Sequence, residues 1–482
     1  MSVTRRVVQN LLFSGGSQVV TWVLTWVLVI MLPSHLGTEG FGQLFFAVSV
    51  GMMAGIFVDL GMNTYLVKET ASDRDRAPEL LAQALTLKLM LSAVVYGGLV
   101  LAVGLMDLAP EALAAARILG LGFMLGQLGM TFASFLNGME MARIPAFGLI
   151  VEKSLLTGGC VALLLSGFGL IAVAWMHVIA ALGSLVFLAW RTYHLVPFRL
   201  GITREQAKGL LKGASPFLVW LIFGEIYVRI DVLMLASMTS ESVVGWYGAA
   251  FRLYATLLFI PNIFMTTVFP ALTRKFSGPD ESASAASRRT LNMMLLVSVP
   301  VGFGLALVAR PVVALFFGLE EFHHSVENIE IFGLSIILVC VDVVLGSILI
   351  AKNRQRAWSL CAVGAAVLNP LMNLALIPWA HGAMGNGGYG AALATLATEA
   401  FMLVCAVKLL PKGLFNRASL VTGGKAFLSG YAMIVVVGAM SLTGLVPIIL
   451  VGGVTYVSCA LLLGVLPRSD TAHLKHALLK RS

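Results

Sequence analysis

The chain has 482 residues, of which 59% are hydrophobic and only 11% are charged. A soluble domain carries roughly 25% charged residues, so this composition excludes an ordinary soluble fold. The formal net charge of +9 at pH 7 would suit a nucleic-acid-binding protein, but the distribution of the basic residues along the chain argues against that function.

Apolar runs recur along the chain, and each is long enough to cross a hydrocarbon core of ~30 Å as a helix. Strands are not expected, because membrane β-strands are short and alternating while these runs are continuously apolar. The sequence therefore predicts an all-α polytopic membrane protein with about fourteen transmembrane helices. In chain order the predicted spans are 11–32, 41–60, 84–106, 115–137, 146–166, 169–190, 214–238, 243–269, 291–309, 329–351, 357–378, 388–409, 426–444 and 446–466.

The basic residues predict the orientation of the spans. An even number of spans places both termini on one side, and the tails and loops of that side carry most of the lysine and arginine residues. The opposite loops carry acidic residues such as Glu39, Asp107 and Glu327. Because loops rich in lysine and arginine stay in the cytoplasm, we expect both termini to be cytoplasmic. The positive charge is thus a topology signal, and we expect membrane lipids rather than nucleic acid as partners.

Two segments of the chain resemble each other weakly. TEGFGQLFFA at 38–47 and SESVVGWYGAA at 240–250 both begin a predicted span, and a shift of 203 residues superposes Gly42 on Gly245. A shift by six spans, an even number, would make the two halves parallel repeats, as in several transporter folds. We therefore expect two pseudo-symmetric six-helix lobes plus a C-terminal helix pair. The expected divisions are a lobe at 1–190, a cytoplasmic linker at 191–213, a lobe at 214–410, and the last two helices with a cytoplasmic tail at 411–482.

The same two segments carry a family resemblance. Residues 36–69 read LGTEGFGQLFFAVSVGMMAGIFVDLGMNTYLVKE, and residues 229–274 contain RIDVLML, GWYGAAFRL and a closing FPALTR. Both segments resemble the polysaccharide and O-antigen flippase family of the multidrug/oligosaccharidyl-lipid/polysaccharide exporter superfamily. The first span departs from the related lipid II flippases, because FSGGSQVVTWVLTWVL lacks the basic residues that they carry there.

The resemblance implies a function. A member of this family is expected to have two lobes in a V around a central cavity that opens alternately to each side. It would move an undecaprenyl-diphosphate-linked oligosaccharide from the cytoplasmic to the outer leaflet of a bacterial inner membrane. It would act as a transporter without a cofactor and not as an enzyme.

Six ionisable residues lie well inside the predicted spans. A charge at the centre of a bilayer costs roughly 2.5–3.5 kcal/mol on insertion scales, so each such residue is a candidate functional group that faces the protein interior. Two are basic and four are acidic: Glu225, Arg229, Asp231, Arg252, Asp342 and Glu399.

The stretch GEIYVRIDVLML places three of these charges on two faces of one helix. At about 100° per residue, Glu225 and Arg229 share a face with the acid first, which is the favourable order for an ion pair. Asp231 lies about 200° round the helix from Arg229 and needs another partner. If the chain turns near residues 240–242, Asp231 and Arg252 reach a similar depth, so we predict an interhelical pair between them.

Two interpretations of these charges stay open. In the structural one, the pairs only neutralise each other and hold helices together. In the functional one, Arg229 and Arg252 bind the diphosphate of the lipid carrier, because the planar guanidinium suits phosphate, while Glu225 and Asp231 take up a cation.

Asp342 and Glu399 have no basic residue within four positions. We predict that they bind the driving ion, a proton or sodium, although a neutral carboxylic acid hydrogen-bonded to backbone is an alternative for Glu399.

Two rival functions remain. A cation-coupled multidrug exporter of the same fold is favoured by four intramembrane carboxylates against two arginines. A membrane glycosyltransferase or polymerase is less favoured, because the predicted outer loops are too short to carry a catalytic surface.

Overall fold

A computed structural model describes residues 3–276, 280–410 and 417–465. Within these ranges the chain forms fifteen α-helices and no strand, which confirms the all-α prediction. Twelve helical stretches of the described residues are long and apolar enough to cross a membrane, with Glu241–Phe276 counted as one stretch. The helices are α1 (Val3–Asp59), α2 (Met62–Ser72), α3 (Ala77–Gly104), α4 (Pro110–Gly138), α5 (Arg143–Leu165), α6 (Leu170–Leu195), α7 (Arg204–Met238), α8 (Glu241–Leu257), α9 (Phe259–Phe276), α10 (Asp280–Phe316), α11 (Leu319–Ala351), α12 (Gln355–Met384), α13 (Gly387–Leu409), α14 (Arg417–Ala439) and α15 (Leu445–Leu462).

The twelve membrane-length helices are compatible with about fourteen predicted spans. The first two predicted spans both lie in α1, whose two arms meet at a bend where Gly37 has φ 66° and ψ −177°. The predicted span 214–238, which carries three charges, lies in α7, and α7 is not among the twelve. The basic tail after residue 465 and residues 411–416, expected in the cytoplasm, lie outside the described residues.

One connection differs from its prediction. The predicted spans 291–309 and 329–351 leave residues 310–328 between them as an outer loop, but α10 continues to Phe316 and α11 begins at Leu319. Gly318 has a positive φ of 88° and turns the chain between the two helices. The loop expectation was wrong because LEEFHHSVENIE, although polar, continues the apolar helix that follows it.

The helices divide into two compact units, Met1–Gly248 and Ala249–Ser482. In the first unit α7 packs against α1, α2 and α3, and α4 packs against α1 and α6. In the second unit α10 packs against α11, α13 packs against α11 and α12, and α14 packs against α15 and α10. The lobe boundaries drawn from the sequence stay a prediction.

The core of the first unit gathers around α2. The side chains of Met62, Leu66, Leu81, Phe135 and Leu210 come from α2, α3, α4 and α7 and are almost fully buried. Lipid tails are as apolar as these side chains, so close packing rather than exclusion of water holds such helices together. This core fixes α2 against the start of α7.

The two similar segments of the sequence contact each other in the first unit. A Cβ atom added to Gly42 would overlap the carbonyl oxygen of Glu241, and one added to Gly245 would overlap the carbonyl oxygen of Thr38. The shift that superposes Gly42 on Gly245 also superposes Thr38 on Glu241, so the two contacts are reciprocal. Reciprocal contacts of this kind are typical of a two-fold axis. The Gln43 Nε2 also donates a hydrogen bond to the Glu241 Oε2 across this contact.

Replacing Gly42 with alanine is expected to destabilise the protein, because the added methyl group meets backbone that cannot rotate away. Overpacking of this kind costs roughly 1–3 kcal/mol or more. The matched control is Gly97→Ala in α3, where a Cβ would meet nothing within 4 Å. Thermal unfolding in detergent should give a lower midpoint for Gly42→Ala than for Gly97→Ala. Equal midpoints for the two variants would contradict the close helix contact.

Candidate transport site

The predicted ion pair of α7 is present. The Nε of Arg229 lies 3.0 Å from the Oε2 of Glu225, four residues earlier on the same helix. The arginine side chain is 15% exposed and the glutamate side chain is 34% exposed. A continuous α7 from Arg204 to Met238 places the two residues on one face, as the spacing predicts. The guanidinium is therefore held by a partner that is itself partly accessible.

Asp231 lies on another face of α7 and is buried, with 2% of its surface exposed. The hydroxyl of Tyr247 on α8 donates a hydrogen bond of 2.8 Å to its Oδ2, and Tyr247 is also fully buried. Sequence reasoning missed this donor, because tyrosine was not counted among the charged residues. The predicted partner Arg252 belongs to the other compact unit, so the pairing of Asp231 with Arg252 stays a prediction.

Removing the Tyr247 hydroxyl tests the importance of this hydrogen bond. Tyr247→Phe is expected to lower the free energy of unfolding by roughly 1–3 kcal/mol, since a buried carboxyl group loses a donor. The loss should shrink in an Asp231→Asn background, because a neutral amide oxygen accepts a weaker hydrogen bond than a carboxylate does. Tyr431→Phe, at a 61% exposed position, serves as the control. If Tyr247→Phe matched the control in thermal unfolding, the hydrogen bond would contribute nothing to stability.

The second unit holds a pair of carboxyl groups. Asp342 on α11 and Glu399 on α13 are both buried, with 4% and 6% of their surfaces exposed. Their carboxyl groups lie close enough to form a hydrogen bond when one of them carries a proton. Neither oxygen of Asp342 accepts a hydrogen bond from a donor in the described part of the chain. Two residues far apart in sequence therefore form one acidic site.

Few chemical species can stabilise such a pair of carboxyl groups. Two carboxylates in a medium of low dielectric constant repel each other strongly, and each loses its hydration. The pair is stable when it holds a proton or a small cation between its oxygens. Across the described residues no three His, Cys, Asp or Glu side chains are grouped in a way that could hold a metal ion.

The structure adds two charged residues that the sequence list of intramembrane charges omitted. Lys88 on α3 is fully buried, and its Nζ lies 2.7 Å from the Oδ1 of Asp59. The same ammonium donates to the Oδ1 of Asn63 at 2.8 Å. Lys88 lies in the apolar run LTLKLML. An isolated lysine in such a run is the signal from which a charge inside the membrane could have been predicted.

Comparison with solved structures shows which known fold the chain has. The fold is similar to that of the lipid II flippase MurJ in an inward closed conformation, with a TM-score of 0.75 at 13% identity, covering 95% of this chain and 99% of that one. It is also similar to an inward-facing multidrug resistance transporter of the MATE family, with a TM-score of 0.60 at 15% identity, covering 80% of this chain and 94% of that one. The chain therefore shares its fold with these two structures.

Sequence comparison then gives the family. Residues 7–276, more than half of the chain, match the polysaccharide biosynthesis protein family, and the chain belongs to that family. This confirms the resemblance found in the sequence.

Two curated relatives come from the archaeon Haloferax volcanii. A probable low-salt glycan biosynthesis flippase is 27% identical over 283 residues, which cover 58% of this chain and 57% of that protein. A second probable flippase is 27% identical over 216 residues, which cover 44% of this chain and 43% of that protein. The chain thus spans about half the length of the curated relatives it matches.

Proposed function

We propose that the protein is a flippase that moves a lipid-linked oligosaccharide from the cytoplasmic to the outer leaflet by alternating access. The observation that carries the proposal is the family match over residues 7–276. The two archaeal relatives bear the name of flippase, and the fold resembles a lipid II flippase over nearly its whole length. The cargo is an oligosaccharide on a polyprenyl diphosphate, for which undecaprenyl diphosphate is the bacterial carrier.

The two arginines are proposed to bind the diphosphate. Arg229 is held by Glu225, whose side chain is one-third exposed and can be displaced by a stronger anion. Arginine binds phosphate oxygens through two parallel N–H donors, so a diphosphate competes well with a single carboxylate. Arg252 on α8 is half-buried and is likewise proposed to bind a phosphate oxygen of the cargo.

The driving ion, a proton or sodium, is proposed to bind at carboxylates. Asp342 and Glu399 form the principal site, because they are adjacent, buried and acidic. Glu225 and Asp231 take up a cation when cargo draws an arginine away. Binding of an ion or cargo then changes the charge inside the protein and shifts the balance between inward-open and outward-open states.

Alternating access requires two lobes that rock against each other. We propose the lobes 1–190 and 214–410, the linker 191–213, and a last segment 411–482. The reciprocal contacts of Gly42 and Gly245 support a two-fold relation between the repeated segments. Both termini are proposed to lie in the cytoplasm of a cell whose plasma membrane holds the protein.

A cation-coupled multidrug exporter is the second candidate. It is favoured by the similarity to a multidrug resistance transporter and by the excess of buried carboxylates over arginines. Carboxylates in a cavity suit a cationic drug better than an anionic lipid carrier. The family match favours the flippase, because the family is one of polysaccharide biosynthesis proteins and the match covers more than half of the chain.

A strain that lacks the gene for this protein distinguishes the flippase from the multidrug exporter. Loss of a flippase should cause lipid-linked oligosaccharide to accumulate with its sugar facing the cytoplasm, while sensitivity to cationic dyes stays unchanged. Expression of the wild-type chain should reverse the accumulation. Increased dye sensitivity without accumulated oligosaccharide would instead support the multidrug exporter and overturn the proposal.

A further inference from the structure

The buried lysine of the first unit fills a site built from oxygen atoms. The Nζ of Lys88 lies 2.7 Å from the Asp59 Oδ1 and 2.8 Å from the Asn63 Oδ1. None of the lysine's surface is exposed, and the Asp59 side chain is 10% exposed. One carboxylate and one amide oxygen thus converge on a single positive atom inside the protein.

The local chain conformation explains why the two oxygens converge. The helix breaks after Asp59, where Leu60 and Gly61 have φ values of 45° and 81°, and α2 begins at Met62. The backbone N–H of Asn63 donates to the Asp59 Oδ1 at 3.1 Å, which fixes the carboxylate at the start of α2.

Glycine is required at the break for two reasons. Its φ lies in the left-handed region, where side chains are disfavoured. A Cβ on Gly61 would also lie 2.8 Å from the carbonyl oxygen of Ala214 and from the backbone nitrogen of Leu218 on α7. The DLG sequence therefore builds a rigid pocket and not merely a turn.

Such a pocket has the chemistry of a site for a monovalent cation. Small hard cations prefer carboxylate and amide oxygens, which are the groups that Asp59 and Asn63 present. A primary ammonium has one positive charge and up to three donors, so it satisfies the same oxygens. The four-carbon stem of Lys88 delivers that ammonium from the neighbouring helix α3.

We propose that the pocket of Asp59 and Asn63 is a monovalent-cation site permanently filled by the chain's own ammonium, that of Lys88. The first unit then carries its own counterion at this pocket and needs no ion from solution there. The coupling ion consequently binds elsewhere, at Asp342 and Glu399; this last step alone rests on the proposed function. A variant without the lysine side chain should accept a small cation from solution in its place.

The test is chemical rescue of Lys88→Ala in purified full-length protein. The deleted atoms correspond to n-propylammonium, whose neutral amine form crosses a lipid or detergent phase and becomes protonated in the pocket. The variant should unfold at a lower temperature than wild type, because Asp59 loses its ion-pair partner. Saturating n-propylammonium chloride should raise that midpoint by about 2–4 °C, whereas tetramethylammonium chloride, which lacks N–H donors, should not.

Two matched controls complete the experiment. Wild type, whose pocket is full, and Lys88→Ala with Asp59→Asn, whose pocket is neutral, should both respond equally to the two salts. If Lys88→Ala is not recovered folded, Lys88→Gln is tested with ammonium chloride against tetramethylammonium chloride, since it leaves only the position of Nζ vacant. The proposal is overturned if the two salts act alike on the lysine variant that is used, or if the double variant responds as the single one does.

This outcome is independent of transport. The readout is thermal unfolding and requires no flipping, so a failed rescue would overturn the cation site and leave the proposed function untouched. A successful rescue in a protein that moved no lipid-linked oligosaccharide would support the site and contradict the flippase.

Discussion

Asp342→Asn is expected to remove the dependence of transport on the driving ion. Asparagine keeps the size of the side chain but cannot exchange a proton or balance a sodium ion, so the carboxyl pair loses its ion. Glu399→Gln should have the same effect, because the two groups form one site. We expect the transport rate under an ion gradient to fall by about tenfold or more, which corresponds to about 1.4 kcal/mol of lost coupling.

Transport of lipid-linked oligosaccharide under imposed proton or sodium gradients measures this effect. Asp107→Asn is the matched control, because Asp107 is exposed in the connection between α3 and α4. The control should keep the wild-type response to the gradient. A wild-type transport rate that changed with neither pH nor sodium would contradict ion coupling. An Asp342→Asn variant whose transport still responded to the gradient would exclude Asp342 and Glu399 as the ion site.

Arg229→Ala and Arg252→Ala are expected to impair transport most strongly of all single substitutions at the proposed cargo site. A hydrogen bond to a charged group contributes roughly 1.5–3 kcal/mol, so each variant should raise the half-saturating concentration of cargo by about ten- to a hundredfold. Arg229→Lys should recover only part of the loss, because an ammonium cannot form the two parallel bonds of a guanidinium. Glu225→Gln should tighten cargo binding, since the competing carboxylate of Arg229 is gone.

Binding and flipping of cargo at matched protein levels test these effects. Arg204→Ala is the control on the same helix, because Arg204 is exposed at the start of α7. The two arginines are excluded from the cargo site if Arg229→Ala and Arg252→Ala both flip cargo as the control does. An equal loss of folded protein in both variants, with transport per molecule unchanged, would instead favour the structural interpretation of these charges.

Apolar runs predicted the helices well because span length is a local property of the sequence. A hydrocarbon core of fixed thickness demands about 20 apolar residues, and the predicted spans fall within the observed helices α1 and α3 to α15 with small shifts at the ends. The ion pair of Glu225 and Arg229 was predictable for the same reason, since four residues make about one turn of a helix.

Contacts between helices were not predictable in this way. The pairing of Asp342 with Glu399 joins α11 to α13, and that of Lys88 with Asp59 joins α3 to the end of α1. Such contacts depend on how each helix is rotated about its axis, and a single apolar sequence gives little information on rotation, because lipid-facing and buried faces have similar composition. The break at Leu60 and Gly61 brings Asn63 to Lys88, and it appeared in the sequence only as the DLG of the family resemblance.

The internal repeat was only partly predictable from the sequence. Only three positions match at a shift of 203 residues, which is weak support for a two-fold relation: Gly42 with Gly245, Ala47 with Ala250, and Thr64 with Thr267. The reciprocal contacts of Gly42 with Glu241 and of Gly245 with Thr38 obey the same shift, although nothing in the pattern required the segments to touch. Glycine at both positions has a physical reason, namely the close approach of two backbones.

Flipping of lipid-linked oligosaccharide is measured most directly with the purified protein in liposomes. A lipid-linked oligosaccharide is placed in both leaflets, and its accessibility to a membrane-impermeant sugar-modifying enzyme is followed with and without an imposed ion gradient. An ion-coupled flippase should make the protected fraction accessible, and faster under a proton or sodium gradient, while the Asp342→Asn variant should lose the acceleration. Accessibility no greater than in protein-free liposomes, from protein that is folded and correctly inserted, would contradict the proposed function.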